Sequence, residues 1–163
     1  MYNKSNSGHS DSLEVGQAFQ DFVCIELAKT GLILQNLSSR KYQYETGENI
    51  QGWEIKYDAR CTGDCSLKEC TATNQLSFEI AEKTKAENAK FIDSGILRDD
   101  NSWLYIQGNY HQLWIFDKKM LRRYYEHGVK METIKINNCL PTIRTFYMSV
   151  ENADEWCAKK ITF

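Results

Sequence analysis

Polar and apolar positions alternate along two segments of the chain, which is the pattern of β-strands. A strand places successive side chains on opposite faces, so residues two apart share a face. In the first segment, residues 52–58, the ionisable side chains fall on one face, and they are Glu54, Lys56 and Asp58. The opposite face is bulky and apolar, and it carries Trp53, Ile55 and Tyr57. Charges gathered opposite a core-facing surface indicate a site.

A second segment, residues 76–81, repeats the arrangement. Its core face carries Leu76, Phe78 and Ile80, and Glu79 lies on the other face. If the two segments pair, three carboxylates and one ammonium group meet in a small patch. We therefore predict a site formed by Glu54, Lys56, Asp58 and Glu79. The alternative is that these side chains form surface ion pairs, which contribute about 0–1 kcal/mol each.

The rest of the pattern predicts helices and further strands around this pair. The first 11 residues are polar and predict a flexible tail, which leaves residues 12–163 as a single domain. Apolar residues at helical spacing predict a helix from Ser12 to Thr30. A hairpin, a helix capped by Asp117, a strand and a final helix follow, over residues 103–107 with 112–116, 118–127, 143–150 and 152–160. This order predicts an α/β (α+β) fold, with a mixed β-sheet flanked by helices.

Composition and charge narrow the class of protein. The chain has 163 residues, 42% of them hydrophobic, which suits one domain with a substantial core. A net charge of −2 gives no general attraction to polyanions, so contact with nucleic acid would need local clusters of Lys and Arg. No stretch approaches the roughly 18 apolar residues of a membrane helix, and the N-terminus lacks the apolar region of a secretory signal. We therefore expect a cytoplasmic protein with no membrane contact.

The six cysteines are expected to be thiols, because the cytosol keeps cysteines reduced. Cys61, Cys65 and Cys70 lie close together between the two charged segments. A zinc site is conceivable there, but the spacing is irregular and no fourth ligand is nearby. Unpaired cysteines in a long loop are the favoured interpretation.

A run of basic residues follows Asp117 in the predicted helix, and it consists of Lys118, Lys119, Arg122 and Arg123. One interpretation is a solvated helix face. The other is a nucleic-acid-binding surface, whose contacts with backbone phosphates would position DNA without reading its bases.

The segments 52–58 and 74–79 together resemble the core of the PD-(D/E)XK nucleases, the restriction-endonuclease-like superfamily that includes small phage and prophage proteins. The turn at 94–96 and the aromatic strand at 103–106 are also similar to such proteins. The resemblance implies a restriction-endonuclease-like fold, DNA as the partner and Mg²⁺ or Mn²⁺ as the cofactor. It implies a metal-dependent endonuclease that hydrolyses phosphodiester bonds, with a homodimer as one possible assembly.

On this resemblance, Asp58 and Glu79 are the metal ligands. The family pattern requires lysine two residues after the second acid, where this chain has Ala81. The preferred interpretation is that Lys56 supplies the ammonium group from the partner strand, because it shares a face with Asp58. That group would orient or deprotonate the attacking water and offset charge in the transition state.

A second interpretation takes the segment 54–56, Glu-Ile-Lys, as the acid-X-lysine element itself, with Glu48 as the upstream acid and Glu79 as an additional ligand. Family members that lack the lysine can be binding proteins. The departure at position 81 therefore leaves a second function open, a non-catalytic DNA- or protein-binding module of the same fold.

Overall fold

The computed structural model describes residues 7–37, 49–62, 72–138 and 140–163, the side chains of residues 7–13 excepted. Its α-helices are α1 (Ser7–Lys29), α2 (Lys118–Lys130) and α3 (Val150–Trp156), with a 3₁₀ turn at Gly95–Leu97. Its strands are β1 (Trp53–Tyr57), β2 (Gln75–Glu82), β3 (Ile92–Asp93), β4 (Leu104–Gly108), β5 (Gln112–Asp117), β6 (Ile143–Ser149) and β7 (Lys159–Thr162).

The strands form two sheets. The first has the order β1-β4-β5-β7, with β1 parallel to β4 and the other pairs antiparallel. The second has the order β3-β2-β6 and is antiparallel. The chain is therefore a mixed α+β protein, as predicted at this level, but it divides its strands between two sheets where one was expected. The predicted pairing of β1 with β2 is wrong, since the two strands lie in different sheets.

The apolar faces predicted for both charged strands are confirmed. Trp53 and Ile55 of β1 are buried in a cluster with Phe19 and Val23 of α1, so this helix covers one face of the first sheet. A second cluster fills the space between the sheets and includes Leu76, Phe78, Ile80, Tyr105, Trp114, Phe116, Phe146 and Met148. The first sheet is thus packed on both faces, and Glu54 of β1 is buried in the interior.

Several predicted elements are confirmed with small shifts. β4 and β5 form the expected hairpin, and Asp117 caps α2 by accepting the backbone N–H of Met120 at 2.9 Å. The helix continues past Gly128, where a Cβ atom would come within 2.4 Å of the Ile134 side chain. α1 begins at Ser7, five residues before the predicted start.

The C-terminal segment differs from its prediction. The expected helix over 152–160 ends at Trp156, and the following residues form β7, which pairs with β5. Asp154 explains where the change occurs, because it accepts the Trp114 Nε1–H at 2.6 Å and pairs with Lys160 at 2.8 Å. These contacts hold α3 against β5 and direct the chain back along the sheet edge. Of the described helices, none has the length and apolar character needed to cross a membrane.

Candidate functional site

The four predicted site residues lie on two sheets. Glu54 and Lys56 lie on one face of β1, with Glu54 Oε1 3.2 Å from Lys56 Nζ. Asp58 directly follows the strand, and Glu79 belongs to β2. The partner of β1 is β4, in register with Trp53 beside Leu104 and Ile55 beside Ile106. Pairing β1 with β4 continues the apolar surface under α1, because Leu104 and Ile106 of β4 belong to the same buried cluster as Trp53 and Ile55. The strand pair that was expected to bring the four side chains together is therefore absent from the described sheets.

The carboxylate of Asp58 contacts the backbone of the second sheet. Asp58 Oδ2 accepts the backbone N–H of Ser77 at 2.9 Å and the Nε2–H of Gln107 at 2.8 Å. Gln107 Nε2 also donates to the carbonyl of Ser77 at 2.8 Å. The two side chains together satisfy the N–H and C=O of one residue of β2. The predicted role of Asp58 as a metal ligand stays a prediction, and the structure gives this carboxylate a structural contact as well.

Glu54 is the most deeply buried of the four, with 2% of its surface exposed. Its Oε1 atom lies 3.2 Å from Lys56 Nζ, and its Oε2 atom lies 3.4 Å from Lys118 Nζ. Oε1 has no hydrogen-bond partner among the described residues. Lys56 is less enclosed, with about a third of its side chain exposed. The interpretation of Glu54 as a surface charge is therefore wrong, and the pair forms a buried acid next to an accessible lysine.

Lys118 completes a buried charge network behind Glu54. Its ammonium group lies 2.8 Å from Asp100 Oδ1 and also donates to Ser102 Oγ. Burial alone would raise the pKa of Asp100, but hydrogen bonds from Lys118 and Ser102 outweigh burial and lower it. Asp100 is therefore ionised at neutral pH. The sequence prediction missed Asp100 and Ser102, because an Asp-Asn-Ser run before a strand is equally typical of a turn.

Two glycines place loops close to the acids. Gly95 has a φ of +52°, and a Cβ atom there would come within 2.3 Å of the Glu79 carbonyl oxygen. Gly52 has a φ of +71°, and a Cβ atom there would come within 2.8 Å of the Asn101 carbonyl oxygen. Only glycine fits such close contacts with positive φ. The 3₁₀ turn is thereby held against β2, and the loop that carries Asp100 is held against the start of β1.

Arg98 follows the 3₁₀ turn and lies within electrostatic reach of both sheets. Its Nη2 atom is 3.4 Å from Glu82 Oε1. Burial alone would lower the pKa of the Arg98 guanidinium, but surrounding carboxylates outweigh burial and raise it. These carboxylates belong, in decreasing order of effect, to Glu54, Glu82, Asp100 and Glu79. The positive charge of Arg98 thus interacts electrostatically with both Glu54 and Glu79, although their strands do not pair.

The predicted basic face of α2 is only partly accessible. Lys118 is 2% exposed and cannot reach DNA phosphates, so that part of the prediction is wrong. Arg122 donates to the backbone carbonyls of Ile96 and Arg98, which fixes the 3₁₀ turn. Lys119 and Arg123 are exposed. A surface for phosphate contact is therefore reduced from four side chains to two, with Arg122 committed to the fold.

The cysteine cluster is described only at Cys61, because Cys65 and Cys70 lie outside the described residues. Cys61 is buried in the core between the sheets, and burial with the nearby negative charge of Asp58 raises its pKa to about 12. It is a protonated thiol at neutral pH. Unpaired cysteines, the favoured interpretation, and the alternative of a zinc site at Cys61, Cys65 and Cys70 both stay predictions.

Within the described residues, no group of three or more His, Cys, Asp and Glu side chains is arranged to hold a metal ion. Glu48, the upstream acid of the second interpretation, lies outside this part of the chain. Comparison of the sequence and structure with protein-family models, curated proteins and solved structures finds no match.

Proposed function

We propose that the chain is a metal-dependent nuclease that hydrolyses phosphodiester bonds in DNA, with Glu54 and Lys56 at the centre of its site. This assignment follows the second interpretation of the sequence, in which the segment 54–56 is the acid-X-lysine element. A restriction-endonuclease-like fold is part of the same proposal.

One observation carries the proposal. Glu54 is a buried carboxylate whose Oε1 atom has no hydrogen-bond partner in the described part of the chain, although Lys56 Nζ lies 3.2 Å away. Burial of a carboxylate oxygen without hydrogen bonds costs free energy, so such an atom is expected where it serves a ligand. About a third of the neighbouring Lys56 side chain is exposed to solvent.

The residues at Glu54 offer a hard divalent cation one carboxylate oxygen, Oε1, with Lys56 Nζ 3.2 Å from it and Lys118 Nζ 3.4 Å from Oε2. Mg²⁺ and Mn²⁺ prefer carboxylate oxygens, and Glu54 Oε1 is an oxygen of this kind. Asp58 Oδ2 already accepts two hydrogen bonds, whereas Glu54 Oε1 accepts none from the described residues. When bound, the ion would polarise a phosphate and lower the pKa of a water molecule. Lys56 would add positive charge beside the same phosphate.

Cleavage assays on supercoiled plasmid and short duplex DNA, in Mg²⁺ and in Mn²⁺, test the proposal. The wild type is expected to cleave, and Glu54→Gln and Lys56→Met are each expected to lower the rate by roughly 100-fold or more. Lys130→Met, an exposed lysine at the end of α2, serves as the matched control and is expected to cleave normally. Absence of cleavage by the wild type, or normal rates in both site variants, would rule out the enzyme.

A second candidate is the non-catalytic binding module, which the charge balance of the site favours. Glu54 and Asp100 are already neutralised by Lys56 and Lys118, so the network is complete without an ion. Calorimetric titration with Mn²⁺ separates the two candidates. Binding that is lost in Glu54→Gln supports the nuclease, and no binding to the folded wild type supports the module.

A further inference from the structure

Trp103 is an exposed tryptophan that its neighbours hold in one orientation. It directly precedes β4, and 53% of its surface is exposed. Its Nε1–H donates to the Gln51 carbonyl at 2.7 Å, and its ring meets the Trp53 ring edge-on, with 6.2 Å between the centroids. Gly52 permits this placement, because a Cβ atom there would come within 3.1 Å of the Trp103 ring. An aromatic ring that is fixed and yet exposed is suited to recognition, since binding orders it at little further cost in entropy.

Basic side chains lie next to this ring. The Trp103 carbonyl accepts the backbone N–H of Lys118 at 2.9 Å, which joins the loop before β4 to the start of α2. Lys119 is the next residue and is exposed, and its α-carbon lies within roughly 8 Å of the Trp103 carbonyl oxygen. Arg123 is exposed one turn further along the same helix face. Aromatic rings beside cations are the combination that binds unpaired nucleic acid, because bases stack on the rings while phosphates contact the cations.

The acidic residues of the adjoining segments 99–103 and 117–123 are three, and two of them have partners. Asp100 is paired with Lys118 at 2.8 Å, and Asp117 accepts the backbone N–H of Met120 at the start of α2. The third, Asp99, is exposed, so water and salt screen its charge. The surface beside Trp103 can therefore accept an anionic ligand.

We propose that Trp103 is a stacking platform for an unpaired DNA base, with Lys119 in contact with a neighbouring phosphate. This inference rests on the proposed function and names its substrate class, which is DNA that contains unpaired bases. A protein segment could also cover an exposed ring, but the adjacent basic side chains favour nucleic acid. Ser102, the residue before Trp103, binds Lys118 Nζ, which lies 3.4 Å from Glu54 Oε2. The loop that presents the ring is thus the loop that closes the charge network behind Glu54.

Fluorescence anisotropy with a labelled oligothymidylate, and with a duplex of equal length, tests the platform. The assay contains EDTA, so that no metal-dependent cleavage occurs. Trp103→Leu keeps an apolar side chain but removes the aromatic face, and it is expected to bind the single strand roughly 10-fold more weakly. Its affinity for the duplex is expected to stay the same, because paired bases stack on one another. Trp103→Phe restores an aromatic face and is expected to regain most of the single-strand affinity.

Trp156→Leu is the matched control, since the Trp156 ring is 41% exposed on α3 and lies edge-on to Tyr124. It is expected to bind both DNAs as the wild type does. Equal single-strand affinities of the wild type and Trp103→Leu would overturn the proposal, as would a wild type that binds no single strand.

Photo-crosslinking of the wild type provides a measurement that needs no variant. An oligonucleotide that carries 5-iodouracil is irradiated with the protein, and the modified residue is identified by mass spectrometry. A crosslink at Trp103 is expected, and crosslinks confined to other residues would contradict the platform even if Trp103→Leu does not fold.

The binding and cleavage assays separate this inference from the proposed function. Single-strand binding through Trp103 without cleavage by the wild type removes the nuclease and keeps the platform. Cleavage by a wild type whose single-strand binding is unchanged in Trp103→Leu does the opposite. A wild type that binds no single strand and forms a dimer that Trp103→Leu dissociates would assign the ring to a protein interface, and the proposal would fail.

Discussion

The carboxylate of Asp58 accepts the backbone N–H of Ser77 at 2.9 Å, which joins the end of β1 to the edge of β2 although the strands belong to different sheets. Gln107 reinforces the contact by donating to both Asp58 and the Ser77 carbonyl. A side chain that resembled a metal ligand in the sequence thus holds the two sheets together.

Replacing Asp58 separates its structural role from a role in metal binding. Asp58→Ala removes the acceptor for two donors, so we expect the free energy of unfolding to fall by about 1–3 kcal/mol. Asp58→Asn keeps an oxygen that can accept both hydrogen bonds, and a smaller loss is expected. Urea denaturation measures both, with the exposed Asp99→Ala as control. Mn²⁺ titration of Asp58→Asn then tests the predicted ligand role, and a fully stable Asp58→Ala would contradict the structural contact.

The two glycines Gly95 and Gly16 are expected to respond in opposite directions to alanine. Gly95→Ala would place a Cβ atom against Glu79 at a φ of +52°, so we expect a loss of roughly 1–3 kcal/mol. Gly16 lies inside α1, where a Cβ atom would meet nothing within 4 Å, so alanine is expected to stabilise by about 0.5–1 kcal/mol. Thermal denaturation compares them. Equal changes in the free energy of unfolding for the two alanine variants would show that Gly95 does not lie close to β2.

The ion pair of Asp100 predicts a dependence of stability on pH. The pKa of Asp100 is lowered in the folded state from its ordinary value of 3.8. The ionised carboxylate therefore contributes fully to the free energy of unfolding above that value, and this contribution is lost as the pH falls through the folded-state pKa. Asp100→Asn lacks this contribution at every pH. The stability difference between wild type and variant is therefore expected to narrow between about pH 6 and about pH 3. Urea midpoints at the two pH values measure it, and a constant difference would argue against the lowered pKa.

The exposed basic residues of α2 predict the salt dependence of DNA binding. If Lys119 and Arg123 contact phosphates, replacing each with glutamine is expected to reduce the slope of log affinity against log salt by about 1. Fluorescence anisotropy with a short duplex gives the slope in the absence of cleavage. Lys29→Gln, on the exposed end of α1, is the control. Unchanged slopes would exclude this face as the DNA contact.

The sequence was sufficient to predict the two faces of β1 and β2, because alternation is a local property. It predicted the cap at Asp117 for the same reason. The partner of β1 could not be predicted, since β4 lies about 50 residues further along the chain and competes with β2 for the same edge. The order of strands in the sheet is a property of the whole core.

Lys118 shows why the site was only partly predictable. The sequence offers two adjacent lysines at the start of α2, and nothing local distinguishes the buried Lys118 from the exposed Lys119. The difference arises because position 118 faces Glu54 and Asp100, which come from two other segments. A buried charge is selected by its partners, and these are known only once the segments meet.

The hydrogen bonds of Asp58 and Gln107 with Ser77 also have a consequence for association between molecules. In the described part of the chain, β3 pairs with β2 only at Ala81 and Glu82, so the Ser77 end of that edge has no strand beside it. Open strand edges invite pairing with other chains and lead to aggregation. Because Asp58 and Gln107 bond the N–H and C=O of Ser77, these backbone groups are not available to a strand of another molecule. Replacing the two side chains would leave the groups free to pair with another chain.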